Sequence, residues 1–196
     1  MSSLNIDVSQ FNYTSCYCEE NIYLLCKKLC MNGAAVMKDL FVVFISNENK
    51  RVPLWHQKAS SRADGIVLWD YHVICIERKV EGSSSNLVWD LDSTLPFPST
   101  LASYLAETIQ PSLQLFTEFK RRHMKDSAGN WIARPPDYAA IVADDGSVHN
   151  LNEYIEIHGL ESVITAGTDD LKNAVATQKL GVVVSESQFP DFFSLI

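Results

Sequence analysis

From Glu19 onward, apolar residues recur at Ile22, Leu25, Cys26, Leu29 and Cys30. That is the i, i+3, i+4, i+7, i+8 spacing of one face of an amphipathic helix. Glu19 and Glu20 fall in its first turn, where carboxylates favour the helix dipole, so the helix is predicted to start near Cys18. Lys27 and Lys28 lie near the other end, and Asn32-Gly33 supplies the stop.

The pattern then changes to short, β-rich runs. Phe41-Val-Val-Phe-Ile45 reads as a buried strand, Ser46-Asn47-Glu48-Asn49 as a turn, and Val52-Pro53-Leu54-Trp55 as an extended segment. Residues 56–65 read as a loop. Ile66 to Glu77 reads as one long strand, Gly82-Ser-Ser-Ser-Asn86 as a turn, and Leu87 to Asp92 as the returning strand of an antiparallel hairpin. Prolines 96 and 98 keep Leu95–Pro98 extended. Ser99-Thr100 can cap a helix from about Leu101 to Thr108, and a second helical piece is predicted from Ser112 to Arg122. Beyond it, Arg134-Pro135-Pro136 is extended and Asp144-Asp145-Gly146 is a turn. Asn152–Ile157 is a short helix, and Thr168-Asp169-Asp170 opens a helix through Lys179. Gly181-Val-Val-Val184 is a strand, and Ser187–Phe193 closes with a helical turn. No repeat or linker interrupts the 196 residues, which predicts a single domain, with residues 1–12 flexible.

Composition narrows the partners. The chain is 46% hydrophobic and carries a net charge of −8, with no basic block beyond Lys120-Arg121-Arg122. That argues against a nucleic-acid or anionic-membrane surface. The start, Met1-Ser-Ser-Leu-Asn, lacks the charged and apolar regions of a secretory signal, and no apolar stretch reaches membrane-spanning length. The expectation is a soluble intracellular protein, in the cytoplasm or also in the nucleus. Its five cysteines, Cys16, Cys18, Cys26, Cys30 and Cys75, are then reduced thiols.

Three residues could carry chemistry together. Cys18 stands at the helix start, where backbone N–H groups favour a thiolate or a developing oxyanion. His72 lies within an apolar strand and needs a hydrogen-bond partner there. With the hairpin centred near Glu81–Gly82, position 72 falls opposite Asp90, and Asp92 shares its parity should the register slip. A carboxylate there orients the imidazole, and the imidazole serves the thiol as base. A cysteine at a helix N-terminus, followed by a histidine and an aspartate on successive strands, is the papain-like arrangement. It implies an α+β fold in which the cysteine helix packs on an antiparallel sheet carrying the other two. The rival reading is a metal site built from the four thiols between Cys16 and Cys30. Cys26 and Cys30 lie on the apolar stripe, and no second ligand pair has zinc spacing, so no metal is expected. Cys75 packs within its strand.

Several segments together resemble the protein N-terminal glutamine amidohydrolase family. They are Thr14-Ser-Cys-Tyr-Cys-Glu-Glu-Asn21, Phe41-Val-Val-Phe-Ile-Ser-Asn-Glu48 with Val52-Pro-Leu-Trp55, and Trp69-Asp-Tyr-His72. Trp89-Asp-Leu-Asp92 with Thr94-Leu-Pro-Phe-Pro98 follows, then His123-Met-Lys-Asp-Ser-Ala-Gly-Asn-Trp131. A weaker match continues through Asn150-Leu-Asn-Glu-Tyr-Ile155 and the closing Gly181-to-Phe193 segment. The resemblance implies a monomeric, papain-like enzyme without cofactor. It would convert an N-terminal glutamine side chain to glutamate with release of ammonia, feeding the arginylation branch of the N-degron pathway. It puts the nucleophile on Cys18, the histidine on His72 and the aspartate on Asp90. The substrate's α-ammonium needs an acceptor, and Glu20 and Asp92 are the nearest acidic candidates in sequence.

One departure stands out. The family carries an additional stretch, with a Phe-Arg-Val-Ile strand, before the His-Met-Lys motif. Here Phe119-Lys-Arg-Arg122 runs straight into His123. This keeps a second reading in view, a catalytically impaired variant or a reader of N-terminal glutamine. A papain-like peptidase or a transamidase using the same three residues is a further alternative.

Overall fold

The computed structural model describes residues 6–79, 85–109, 128–131, 133–148, 151–155, 168–178 and 181–196. The chain divides into two compact units, Met1–Val148 and His149–Ile196.

In the first unit, helix α1 spans Cys18–Met31. Its buried stripe is Ile22, Leu25 and Leu29, each 1% exposed. The observed start and stop match the periodicity and the Asn32-Gly33 signal; Gly33, at φ 66°, takes the left-handed turn that leaves the helix. Four strands form one antiparallel sheet in the order β1 (Leu40–Ile45), β4 (His72–Glu77), β5 (Leu87–Trp89), β6 (Ser99–Thr100). A separate two-stranded sheet pairs β2 (Val52–Leu54) with β3 (Val67–Trp69). Helix α1 lays its stripe on Val73 and Cys75 of β4 and on Trp89 and Leu91. Burying each large aliphatic side chain there contributes about 1.5–3 kcal/mol. The cluster therefore fixes the helix that carries Cys18 against the strand that carries His72. Helix α2, Leu101–Thr108, is capped by Thr100, whose hydroxyl oxygen accepts the Ser103 N–H at 3.2 Å.

Several sequence expectations are revised. Residues 66–77 do not form one strand. The chain breaks at Asp70 and Tyr71, so β3 and β4 join different sheets. Asp70 is exposed, and its carboxylate accepts the N–H of Tyr71 at 3.3 Å, a local bond that competes with the strand ladder. Strand β1 is half-buried rather than buried, with Val42 exposed, because among the described residues it is an edge strand with β4 as its one neighbour. The returning strand ends at Trp89 rather than Asp92. Phe11, inside the stretch expected to be flexible, packs edge-on against Phe97 at 5.6 Å and is buried. The predicted helix 112–122 and most of the hairpin turn, residues 82–84, lie outside the described residues.

The second unit contains α3 (Leu151–Ile155), α4 (Thr168–Thr177) and α5 (Phe189–Leu195). In α5, the rings of Phe192 and Phe193 meet edge-to-face at 5.0 Å. Residues 181–184 are irregular instead of a strand; their valines have the composition of one, but no described neighbour pairs with them.

Candidate active site

The loop before α1 sets the position of Cys18. Asn21, 1% exposed, makes two bonds to Thr14: its amide donates to the Thr14 carbonyl at 2.8 Å, and its side-chain oxygen accepts the Thr14 N–H at 2.8 Å. Between them Cys16 adopts φ 69°, a left-handed conformation unusual for a residue with a side chain. Tyr17, the residue before the helix, provides no side-chain cap.

His72 opens β4 and is fully buried. Its ring stacks on Trp69, 5.4 Å between centroids and 20° between planes. Trp69 is fixed in turn by Gln57, whose Oε1 accepts the indole N–H at 3.1 Å. The Nε2 of His72 lies 3.1 Å from Oδ1 of Asp90. The contact has ion-pair distance without hydrogen-bond alignment, and Nδ1 has no hydrogen-bond partner among the described residues.

Asp90 meets His72 by a route the simple register does not give. The ladder pairs Cys75 with Trp89, which puts position 72 nominally across from position 92. The chain leaves the strand after Trp89 and turns, with the Ser93 N–H bonding the Asp90 carbonyl at 3.4 Å. The turn brings the Asp90 side chain back beneath the imidazole. Its Oδ1 also accepts the Asp92 N–H at 2.9 Å, and its Oδ2 accepts the Tyr104 hydroxyl at 2.8 Å. Tyr104, on α2 and 1% exposed, carried no signal in the sequence beyond a helical apolar position.

These contacts set the charge states. Burial disfavours the imidazolium, but Asp90, then Asp92 and Glu19, outweigh it, and the pKa of His72 is raised. Burial likewise disfavours the Asp90 carboxylate, but His72, the Tyr104 hydroxyl and the Asp92 N–H hold its pKa below the usual value. Asp90 thus stabilises the charge His72 gains when its ring takes a second proton. The thiol of Cys18 is pushed the other way: burial, then the Glu19 and Asp92 carboxylates, raise its pKa well above the ordinary value, against the pull of the Val73 N–H. The stabilisation expected from the helix start is outweighed in the resting state. The Cys18 thiol donates to Glu19 Oε2 at 3.5 Å rather than to His72.

The carboxylate candidates diverge. Glu20 accepts the Tyr138 hydroxyl at 2.8 Å. Asp92 is buried and accepts the Tyr13 hydroxyl at 2.7 Å, and burial raises its pKa. Glu19, which the sequence presents only as a first-turn charge, sits against the sulfur and also accepts the Tyr71 hydroxyl at 3.0 Å. Tyr71 lies in the Trp69-Asp-Tyr-His72 motif, which is where a signal for it was available. One donor atom each from His72, Asp90 and Asp92 falls within 4.8 Å of the others, so these are the residues that could hold an ion. Both Asp90 oxygens and Oδ1 of Asp92 already accept hydrogen bonds there.

The sequence model described as N-terminal glutamine amidase matches residues 13–121 and 116–193. The chain belongs to that family. Its two matched spans overlap at 116–121, just before His123. The chain is 56% identical over 209 positions to a protein N-terminal glutamine amidohydrolase of Arabidopsis thaliana, covering 96% of this chain and 94% of that protein. A protein of the same name from Oryza sativa subsp. indica is 46% identical, covering 96% of this chain and 90% of its own. One from Homo sapiens is 36% identical over 163 positions, covering 74% and 78%. The 209 aligned positions exceed the residues this chain contributes, so the Arabidopsis family member carries residues that this chain lacks. Among the described residues no helix is long and apolar enough to cross a membrane.

Proposed function

We propose that this protein deamidates the side chain of an N-terminal glutamine, giving glutamate and ammonia, with Cys18 as nucleophile, His72 as base and Asp90 as the group that orients and charges the imidazole. The observation that carries the reading is the buried His72–Asp90 pair, whose Nδ1 has no partner among the described residues, beside the helix that carries Cys18. The names of the relatives support the substrate assignment.

The steps follow from the roles. In the neutral ring, with its proton on Nε2 toward Asp90, Nδ1 accepts the Cys18 proton, and the thiolate attacks the carboxamide carbon. The C–S bond forms as the carbonyl π pair moves to oxygen, and backbone N–H groups at the uncapped start of α1 receive that oxyanion. The tetrahedral centre collapses, the C–N bond breaks, and the imidazolium gives its proton to the departing nitrogen, which leaves as ammonia. Water, deprotonated by His72, then hydrolyses the thioester and returns the thiol. No step requires a metal or an organic cofactor. The fold is papain-like in this reading, and the enzyme acts as a monomer in the cytoplasm. Its product, an N-terminal glutamate, suits the arginylation branch of the N-degron pathway.

Ammonia release and peptide mass, followed with Gln-, Asn- and Glu-starting peptides, test the assignment. Ammonia from the Gln peptide alone, with the chain intact, supports it. Chain cleavage would indicate a peptidase, and amine incorporation a transamidase. The break in the family match at 116–121 favours a second reading, a glutamine-terminus reader. Binding of the Gln peptide with no conversion over hours would establish that instead.

A further inference from the structure

A thiol that must ionise is usually surrounded by positive charge. Cys18 is not. The acceptor its thiol finds is the Glu19 carboxylate at 3.5 Å, and Asp92 adds a second negative charge nearby. Glu19 is itself held in place, since Tyr71 donates its hydroxyl to the same Oε2 at 3.0 Å. Glu19 also acts on His72, whose Nδ1 is buried and has no hydrogen-bond partner among the described residues. The resting thiol therefore points its proton at a carboxylate, while the nitrogen that should take it has no partner among the described residues. This arrangement opposes catalysis unless something arriving with the substrate takes over Glu19.

The substrate proposed above brings such a group. In glutamine, standard bond lengths put the α-nitrogen roughly 4–5 Å from the carboxamide carbon. That carbon must come within about 3–3.5 Å of the sulfur to react. A carboxylate 3.5 Å from the sulfur lies within reach of the ammonium of a glutamine so placed. Glu20 and Asp92 fit this task less well. Glu20 is bonded to Tyr138 rather than to the sulfur, and Asp92 is 1% exposed.

We propose that Glu19, positioned by Tyr71, accepts the substrate's α-ammonium, and that this contact releases the Cys18 thiol to His72, so that the free amine being selected also activates the nucleophile. The inference rests on the deamidase reading and extends it to specificity. The ammonium keeps its three protons and pairs with the carboxylate; the thiol proton moves to Nδ1 of His72; nothing is oxidised or reduced. A glutamine inside a chain, or one whose amine is acylated, brings no cation. It leaves the thiol bonded to Glu19.

Glu19→Gln in the full chain separates this role from a structural one, because the two readouts should move in opposite directions. Without the carboxylate, the resting thiol becomes more acidic. Alkylation of Cys18 by iodoacetamide at neutral pH, located by peptide mass mapping, should then rise, by about tenfold for each unit the thiol pKa falls. Meanwhile kcat/KM for a Gln-starting peptide should fall roughly a hundredfold, and its advantage over the N-acetylated peptide should collapse. Loss of fold would lower turnover without this inverse pattern, and a melting curve would show it. Glu19→Asp keeps the charge on a shorter arm. It should retain part of the free-amine preference with a lower kcat/KM, and it serves as the test if Glu19→Gln does not fold. Unchanged alkylation in Glu19→Gln, or a free-to-acetylated ratio equal to wild type in either variant, overturns the role of Glu19. Wild type that leaves the Gln peptide untouched overturns the deamidase reading itself, and the role of Glu19 with it.

Discussion

Replacing Tyr104 by Phe keeps the ring that fills the base of the site and deletes one hydroxyl. That hydroxyl donates to Oδ2 of Asp90 at 2.8 Å, and the residue is 1% exposed, so no water replaces it. A hydrogen bond to a buried charge is worth about 1.5–3 kcal/mol, and its loss leaves a carboxylate oxygen unsatisfied. For a chain of this size each kcal/mol moves the melting temperature by about 2–4 °C, so Tyr104→Phe should melt roughly 3–12 °C lower. The effect on turnover follows from what remains. Oδ1 still accepts the Asp92 N–H and still faces His72, so the pair persists with less constraint. A fall in kcat of about tenfold, equivalent to about 1.4 kcal/mol, with KM little changed, is the expectation, because Tyr104 supports the base and is not assigned a substrate contact. Differential scanning fluorimetry and steady-state ammonia release measure both. If the variant melts with wild type and turns over at the wild-type rate, Asp90 is not held through Tyr104, and the route from α2 to the imidazole is wrong.

Other outcomes follow from the same contacts. The raised pKa of His72 contributes stability that is full below the ordinary imidazole value and is lost as pH rises through the raised one. The depressed pKa of Asp90 contributes stability that is present above the ordinary carboxylate value and is lost as pH falls through the lowered one. The melting-temperature gap between wild type and Asp90→Asn should therefore be widest between about pH 4 and 6.5 and narrow on either side; a gap independent of pH would contradict the ion pair. Asn21→Ala removes both bonds that close the loop on Thr14. It should lower stability by about 1–3 kcal/mol in urea melts and reduce kcat as the Cys18 helix start loosens, and wild-type values for both would refute the clamp. Gly65 has φ 67°, and a Cβ there would sit 3.1 Å from the His56 backbone nitrogen. Gly65→Ala should cost about 1–3 kcal/mol, measured the same way, and a stabilised variant would show that the loop can rearrange.

Some of this was legible in the sequence because it is local. The stripe from Ile22 to Leu29 and the Thr100 cap are signals that neighbouring residues carry, and both helices appear where those residues put them. Strand ends were less legible. The run from Ile66 to Glu77 is apolar nearly throughout because both β3 and β4 are buried, so its pattern does not mark the break at Asp70. The meeting of His72 with Asp90 was anticipated, but by pairing rather than by the turn after Trp89 that produces it. The partners that settle charge were the hardest to find. Tyr104 approaches Asp90 from another element, and Glu19 looks like any first-turn carboxylate until the Tyr71 hydroxyl and the Cys18 thiol are seen to converge on it. Such contacts are set by tertiary packing, and spacing along the chain does not encode them.

The central claim is that the sulfur of Cys18 attacks the glutamine carboxamide. The direct measurement is mass spectrometry of a Gln-starting peptide incubated with wild type and, in parallel, with Cys18→Ala. The account predicts that wild type converts the carboxamide to a carboxylate at the first residue and that Cys18→Ala leaves the peptide unchanged. Conversion by both proteins at one rate would contradict it.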